Sequence, residues 1–413
     1  MNSRERVIAA LNHQQPDRVP IDFSGHRSSG ISAIAYTKLR QHLGLPAKPI
    51  RVYDLIQQLA IVDQDVLDRF QVDTIELGRG FALEDEHWAD WVLPDGTPCQ
   101  VPAWSIPERD EGNSRWIMRS KSGRIIAQMP DGALYFEQTH YPLMDGPDDE
   151  KAIDTAFDEC MWTAIASPSG PLASGPGRDR AFAEGAKALR DSTDRAIIGL
   201  FGGNLLEIGQ FFYRNDNFYV MMASEPERVE RFLDHLVEVH LGNLERFLTV
   251  IGDYIDVIMF GDDLGMQTGP QISPAMYRRL FKPRHARMWK RVKELKPHVK
   301  VNLHCCGSVR SLLPDLIEAG LDALNPIQIR SAGMEASGLK RDFGQQITLW
   351  GGGCDTQVIL MKSSPEKVAE HVREQVRVLK PGGGFVFQQV HNILATVPAE
   401  NIVAMFDAVH SEG

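Results

Sequence analysis

The sequence predicts an α/β protein in which parallel strands and helices alternate around a barrel. In the second half of the chain, apolar segments that end in Gly, Asp, Asn or His alternate with amphipathic segments of helical periodicity. Continuous apolar segments are typical of strands that are buried on both faces of a sheet. Six or more consecutive strand–helix units favour a closed barrel. A Trp-rich stretch around residue 100 interrupts the alternation and predicts a β-rich insertion.

The apolar segments define the strands of the barrel, and the amphipathic segments define its helices. We predict strands at 72–77, 196–201, 256–260, 299–303, 322–325, 347–350 and 384–387, and helices at 55–70, 225–250, 273–295, 308–319 and 364–379. The last helix has the clearest ends, because Ser364 is a typical N-cap, Pro365 suits the first helical position and Gly382 follows its end. Another helix begins the chain, and we expect Ser3 to cap it.

The insertion covers residues 84–145, which hold four of the seven Trp and hairpin-like turns at Asp95-Gly96, Ser122-Gly123 and Asp131-Gly132. We interpret it as a unit packed on the barrel, either a lid or a dimer surface. The chain then divides into N-terminal helices with the first barrel strand (1–83), the insertion (84–145) and the remainder of the barrel (146–413). Residues 167–177, rich in Ser, Gly and Pro, are predicted to form a loop.

Composition restricts the classes of function and the compartment. A net charge of −11 argues against a protein that binds nucleic acid through a basic surface. No apolar run approaches the roughly 20 residues that a membrane span requires, and the first residues lack the apolar core of a signal peptide. Five Cys, two of them adjacent, suit a reducing compartment better than a set of disulfides. We therefore expect a cytoplasmic protein.

The end of the strand at 299–303 carries a candidate metal site. The strand is followed by His304-Cys305-Cys306-Gly307. Side chains at positions i and i+2 of an extended segment point the same way, so His304 and Cys306 can share one ion while Cys305 points into the core. Imidazole and thiolate are typical zinc ligands. The alternative is that both Cys are small buried residues and the His caps the following helix.

Ordered motifs along most of the chain carry a resemblance to a known family. They are Arg4-Glu-Arg-Val-Ile-Ala-Ala-Leu-Asn12, Pro16-Asp-Arg-Val-Pro20, Phe260-Gly-Asp-Asp-Leu-Gly-Met-Gln267, Ile272-Ser-Pro-Ala-Met-Tyr277, Phe281-Lys-Pro283, His304-Cys-Cys-Gly-Ser308, Leu324-Asn-Pro-Ile-Gln328, Gly351-Gly-Gly-Cys-Asp-Thr-Gln357 and Val397-Pro-Ala-Glu-Asn-Ile402. With these motifs the chain resembles the uroporphyrinogen decarboxylase superfamily, which includes zinc-dependent methyltransferases linked to cobalamin. The resemblance implies a (β/α)8 TIM barrel with its site at the C-terminal mouth, and it makes a homodimer possible.

Within this superfamily, the sequence resembles the methyltransferase branch. Porphyrinogen decarboxylases carry an Arg-rich N-terminal motif, whereas Asp22-Phe-Ser-Gly-His-Arg27 holds a single Arg. The methyltransferases carry an HxC zinc motif, which His304 and Cys306 match. Their third ligand is usually a Cys about seven residues before a Pro-x-Glu-Asn motif, a position that His391 occupies here. Cys354, at another strand end within a Gly triplet, is the other candidate for the third ligand, and both can bind.

Other polar residues near strand ends are candidates for catalysis or substrate binding. Asp262 and Asp263 can bind metal, position a proton or act as general acid or base, or they can form an N-cap and salt-bridge pair. The candidates for substrate binding are His26, Arg27, Asn204, Glu207, Gln267 and Gln328. The remaining His in helical patterns, at 13, 235, 240, 285 and 371, are expected on the surface.

Three functional hypotheses follow. The first is a zinc-dependent methyltransferase or demethylase that moves a methyl group between a small methyl ether or thiol and a corrinoid protein. Because the chain has no DxHxxG loop for cobalamin, the corrinoid would be bound to a separate protein. The second is a metal-independent, decarboxylase-like lyase in which the Asp pair and Arg27 handle a carboxylated substrate. The third is a non-catalytic barrel that binds thiols or metal. The four Trp of the insertion either line an aromatic substrate pocket or belong to a core.

Overall fold

The computed structural model describes residues 1–162 and 177–412. The loop predicted at 167–177 therefore lies outside the described residues, except for Gly177. Among the helices in the described ranges, none has the length and apolar character needed to cross a membrane.

The strands and helices follow one another along the chain as the alternation predicts. The strands are β1 (Ile50–Asp54), β2 (Leu59–Ala60), β3 (Thr74–Glu76), β4 (Trp88–Val92), β5 (Pro98–Pro102), β6 (Glu108–Asp110), β7 (Arg115–Arg119), β8 (Ile125–Pro130), β9 (Glu137–Gln138), β10 (Ala196–Gly202), β11 (Val257–Gly261), β12 (Lys300–His304), β13 (Ala323–Asn325), β14 (Thr348–Trp350) and β15 (Phe385–Val386). The helices are α1 (Ser3–Leu11), α2 (Ala33–His42), α3 (Gln64–Arg69), α4 (Glu150–Ala156), α5 (Arg178–Ser192), α6 (Leu206–Tyr213), α7 (Asn215–Ser224), α8 (Pro226–Ile251), α9 (Pro274–Met276), α10 (Lys282–Leu295), α11 (Leu313–Glu318), α12 (Ala336–Phe343), α13 (Ile359–Lys362), α14 (Pro365–Leu379) and α15 (Ala399–Glu412). Each of the seven predicted barrel strands is confirmed.

Seven parallel strands form the central sheet, in the order β15-β14-β13-β12-β11-β10-β3. The segment around Ile21 joins its two edges. Ile21 pairs in parallel with Phe387, and its carbonyl oxygen accepts a hydrogen bond of 2.8 Å from the backbone N–H of Asp73. The sheet therefore curls back on itself, which confirms the predicted α/β class and gives a barrel-like architecture in which all strand C-termini meet at one end.

Helix α1 packs against the opposite end of the sheet. Val7, Ala10 and Leu11 are buried in one cluster with inward-facing residues of five barrel strands. Arg4 and Arg6 of the same helix form ion pairs with Asp256 and Asp73, which precede β11 and β3. These contacts fill the N-terminal end of the barrel and leave the C-terminal end for a site.

The start of α1 corrects one sequence expectation. The N-cap is Asn2 rather than Ser3: the Asn2 side chain accepts the N–H of Glu5 at 2.8 Å, and the Glu5 carboxylate accepts the N–H of Asn2 at 3.0 Å. This reciprocal capping box satisfies two donors that would otherwise lack partners at the helix start.

Residues 84–145 are rich in strands, but one of the two sheets that they form also includes strands from outside this range. Strand β5 pairs with β1, so that β2, β1, β5 and β4 form one sheet, and β6 to β9 form another. Because Leu59–Ala60 pairs with β1, the helix predicted at 55–70 is reduced to α3. Trp91 and Trp116 meet edge to face with ring centroids 5.3 Å apart. This contact is part of the packing between the two sheets.

Candidate metal centre and substrate cavity

Three residues that the sequence singled out as metal ligands meet at the C-terminal end of the barrel. His304 ends β12, Cys306 lies two positions further, and His391 follows the strand region that begins with β15. One donor atom from each of the three lies within 4.8 Å of the others, and His304 Nε2 lies 3.5 Å from Cys306 Sγ. Ligands bound to zinc at about 2.0–2.3 Å in a tetrahedron are themselves about 3.5 Å apart. The donor set fits a zinc ion that keeps one position open.

The hydrogen bonds around His304 determine which of its ring nitrogens carries no proton. Its Nδ1 lies 3.0 Å from Asn325 Oδ1, while Asn325 Nδ2 donates to the carbonyl oxygen of Trp350 at 3.2 Å and to Gln388 Oε1 at 2.7 Å. A carbonyl oxygen can only accept, so the Asn325 nitrogen must face Trp350 and its oxygen must face His304. His304 Nδ1 therefore carries the proton, and its Nε2 presents a lone pair to Cys306.

The hydrogen-bond chain continues from Asn325 across the barrel. Gln388 Oε1 lies 3.2 Å from His26 Nε2, which also lies 3.0 Å from Asp22 Oδ2. The backbone N–H of Ser28 donates to His26 Nδ1 at 3.2 Å, so Nε2 is the ring nitrogen that donates to Gln388 and Asp22. His26, predicted to bind substrate, is 1% exposed, and both of its ring nitrogens are used in these contacts. A continuous set of buried contacts thus links Asp22 to His304.

Burial controls the protonation of the three candidate ligands. It lowers the pKa of His391 to about 3, and the nearby rings of His304 and His26 act in the same direction. Burial also lowers the pKa of His304. Both imidazoles are therefore neutral, as metal ligands must be. Burial, together with the charge of Asp263, raises the pKa of the Cys306 thiol well above its ordinary value, so a cation is needed to hold it as a thiolate.

The two adjacent Asp have different environments. Asp262 is fully buried, and its carboxylate accepts the backbone N–H groups of Leu206 and Glu207 at 3.1 and 3.0 Å. It therefore satisfies two N–H groups at the start of α6 from a neighbouring strand. Asp263 lines the cavity: its Oδ1 accepts the N–H of Cys306 at 2.7 Å and lies 3.7 Å from His304 Nε2.

Asn204 and Glu207 lie beside the metal centre. Asn204 Nδ2 donates to Glu207 Oε2 at 2.6 Å, and the N–H of Asp263 donates to the same oxygen at 3.0 Å. Burial and the charges of Asp263 and Asp262 raise the pKa of Glu207 well above its ordinary value. An uncharged carboxyl group can donate a hydrogen bond, and Glu207 lines the cavity.

A cavity of about 670 Å³ extends from the metal centre between β10, α6 and α8. Arg27 lines it, with its Nη1 3.7 Å from Asp54 Oδ2. Six partly exposed aromatic residues also contribute to its wall: Phe157, Trp162, Phe182, Phe201, Phe211 and Phe247. The four Trp of residues 84–145 are not among the described residues that line it. They therefore do not contribute to this cavity.

His240 was expected on the surface and instead supports the cavity wall. It is 7% exposed, and its Nε2 donates to the carbonyl oxygen of Asn204 at 3.1 Å, while burial lowers its pKa to about 4. The spacing of His240 from Leu236 and Leu244, four residues on either side, places it on the buried face of α8 and was visible in the sequence. His285 is buried too, 3.3 Å from Asp262.

Three other candidate residues lie away from this centre. Cys354 is buried in the layer between sheet and helices, next to Gln389, and its Sγ contacts the carbonyl oxygen of Asp355 at 3.8 Å. Gln328 Oε1 accepts the N–H of Gly307 at 2.9 Å, and Gln267 Oε1 accepts the hydroxyl of Ser331 at 3.3 Å. The two Gln stabilise loops after the strands, and neither is among the described residues that line the cavity.

Comparison with solved structures bears on the fold. The structure is similar to that of a methyltransferase from Methanosarcina mazei, with a TM-score of 0.59 and 17% sequence identity, over 100% of this chain and 99% of that one. A similarity to xylanase 10B from Thermotoga maritima has a TM-score of 0.34 and 11% identity, over 66% of this chain and 93% of that one. The first similarity supports the TIM-barrel-like fold.

Comparison of sequences identifies the family. The chain matches none of the curated proteins. The model of the uroporphyrinogen decarboxylase (URO-D) family, in contrast, matches residues 186–412, which is more than half of the 413 residues and includes the strands that carry His304, Cys306 and His391. The chain therefore belongs to the uroporphyrinogen decarboxylase family.

Proposed function

We propose that this protein is a zinc-dependent methyltransferase that moves a methyl group between a small substrate and a corrinoid protein. The observation that carries the proposal is the convergence of His304, Cys306 and His391, with Nε2 of His304 left free by its hydrogen bond to Asn325. The HxC motif of the methyltransferase branch supplies two of these residues. The similarity in fold to the methyltransferase from Methanosarcina mazei agrees with the same branch.

The residues around the centre have distinct roles in this proposal. His304, Cys306 and His391 would hold the zinc ion. When bound, zinc supplies Lewis-acid stabilisation to a methyl-bearing oxygen, or holds a thiol as its thiolate near neutral pH. Glu207, kept protonated by burial, donates a hydrogen bond to the substrate oxygen. In the direction of demethylation, the methyl carbon would be bonded by an electron pair of the reduced corrinoid as the O–CH3 bond breaks. The electron pair of the broken bond would stay on the oxygen, and the Glu207 proton would neutralise it. Asp263 holds the backbone of Cys306 in place.

The partners follow from the same proposal. The substrate is a small molecule, which agrees with a cavity of about 670 Å³, within the usual range for small-molecule sites. The corrinoid would be bound to a separate protein that docks at the C-terminal end of the barrel. We further propose a cytoplasmic homodimer in which residues 84–145 contribute to a lid or to the dimer surface.

Metal stoichiometry of the purified protein tests the proposal. We expect about one zinc per chain in the wild type, and its loss in His304→Ala, Cys306→Ala and His391→Ala. Cys354→Ala is the matched control, because it removes a buried thiol outside the centre and is expected to retain zinc. A wild type that stays metal-free after zinc is supplied would refute the proposal and favour the decarboxylase-like lyase. Methyl transfer to an added corrinoid protein then separates an enzyme from a non-catalytic zinc-binding barrel.

A further inference from the structure

The aromatic wall of the cavity is built on the same elements as its polar end. Glu207 and Phe211 are four residues apart on α6, so their side chains lie on one face of that helix, and both line the cavity. Phe201, the penultimate residue of strand β10, faces the same space just before the loop that carries Asn204. One end of the cavity therefore offers hydrogen-bonding groups and the adjacent part offers aromatic rings.

The rings are held in fixed positions. Phe201 packs edge to face on Phe260, with ring centroids 5.3 Å apart, and Phe211 stacks on Trp162 at 5.6 Å. Phe201 and Phe211 are only partly buried, since one side of each faces the cavity. Large apolar side chains that are held rigid and left partly exposed inside a concave site form a surface for an apolar ligand.

Acidic side chains pair with Arg residues in the cavity wall, and Asp179 is shared by Arg246 and Arg178. Arg246 Nε donates to Asp179 Oδ1 at 2.7 Å, and both residues line the cavity. Arg27 faces Asp54. The part of the cavity that is lined by aromatic rings therefore suits a neutral group better than an ionic one.

We propose that the substrate carries an aromatic ring next to its reacting oxygen, as a phenol or an aryl methyl ether does. The ring lies against Phe201 and Phe211, and the oxygen points to Asn204, Glu207 and the metal centre. An apolar cavity of about 150 Å³ is enough to hold benzene, so 670 Å³ leaves room for a substituted ring. The role of that oxygen in methyl transfer rests on the proposed function, whereas the preference for a ring rests on the cavity.

Calorimetric titration of the full-length protein with phenol and with cyclohexanol tests this substrate class. The two probes share a six-membered ring and a hydroxyl group, but only phenol has a π face. We expect phenol to bind about tenfold more tightly, because aromatic pairs gain affinity beyond the buried area. Equal or tighter binding of cyclohexanol by the wild type would overturn the proposal without the need for any variant.

Single substitutions then localise the ring. Phe201→Leu and Phe211→Leu are each expected to weaken phenol binding about threefold to tenfold and to change cyclohexanol binding by less than about twofold. Phe343→Leu is the matched control. Phe343 is the last residue of α12, it packs under the guanidinium of Arg310, and it does not line the cavity. Unchanged phenol binding in both cavity variants, with their thermal unfolding also unchanged, would contradict the proposal.

The same titration separates this inference from the proposed function. Zinc content is measured on every sample, and His304→Ala is titrated in parallel. A protein that holds no zinc but prefers phenol supports the aromatic substrate and refutes zinc-dependent methyl transfer. A protein that holds zinc but shows no preference for phenol refutes the aromatic substrate and leaves the zinc-dependent function standing.

Discussion

Replacing Asn325 by Leu is expected to weaken zinc binding although Asn325 is not itself a ligand. The substitution keeps the size of the side chain but removes the oxygen that accepts the Nδ1 proton of His304 at 3.0 Å. The ring is then free to turn or to move its proton to Nε2, the nitrogen that faces Cys306. Loss of such a supporting hydrogen bond typically costs about 10- to 100-fold in metal affinity, or about 1.4–2.7 kcal/mol.

Competition with a chromophoric chelator measures this change, and Asn302 provides a matched control. Asn302 is a fully buried Asn on the same strand, two residues before His304, and its side-chain oxygen and nitrogen have no hydrogen-bond partner within the described residues. Asn302→Leu is therefore expected to keep the zinc affinity and to leave the free energy of unfolding unchanged or higher. The reasoning is refuted if Asn325→Leu binds zinc within about twofold of the wild type, or if both variants lose it equally.

Three further outcomes are expected. Asp262→Ala removes the acceptor for the N–H groups of Leu206 and Glu207 and should lower the free energy of unfolding, measured in urea, by about 2 kcal/mol. The control Asp253→Ala removes a surface carboxylate and should lower it by less than about 1 kcal/mol; equal losses would exclude the capping role of Asp262. The pKa of Glu207 is raised in the folded protein, so its contribution to the free energy of unfolding is complete below its ordinary pKa of 4.5. As the pH rises from there towards the folded pKa, the wild type should lose stability relative to Glu207→Gln; stability curves that stay parallel would contradict the raised pKa. His391→Cys should retain zinc and His391→Leu should lose it, and retention by His391→Leu would remove His391 from the metal centre.

The barrel strands were predictable because each is buried on both faces and shows this as a continuous apolar run. The pairing of His304 with Cys306 was predictable for a similar reason, since alternation along a strand fixes which side chains share a face. The position of His240 on the buried face of α8 followed from helical spacing and was missed only because a His was assumed to prefer water.

Contacts between distant segments were not accessible in this way. Asn325 and Gln388 are 63 residues apart along the chain and meet only because both side chains point into the barrel interior. The choice between His391 and Cys354 depended on how the chain turns after β14, where Gly351 and Gly352 adopt positive φ values of 104° and 77°. Phe211 was missed because α6 has only eight residues, most of them buried, which is too short for a helical period to stand out in the sequence.

The filling of the N-terminal end of the barrel by α1 has a kinetic consequence. Within the described residues, Val7, Ala10 and Leu11 are buried in the cluster that fills this end, whereas the cavity with the metal centre lies at the C-terminal end. Under the proposed function, the small substrate and the large corrinoid protein would both approach from the C-terminal end. The enzyme would then work in an obligatory order, with the small molecule entering before the protein partner docks and leaving only after that partner has gone.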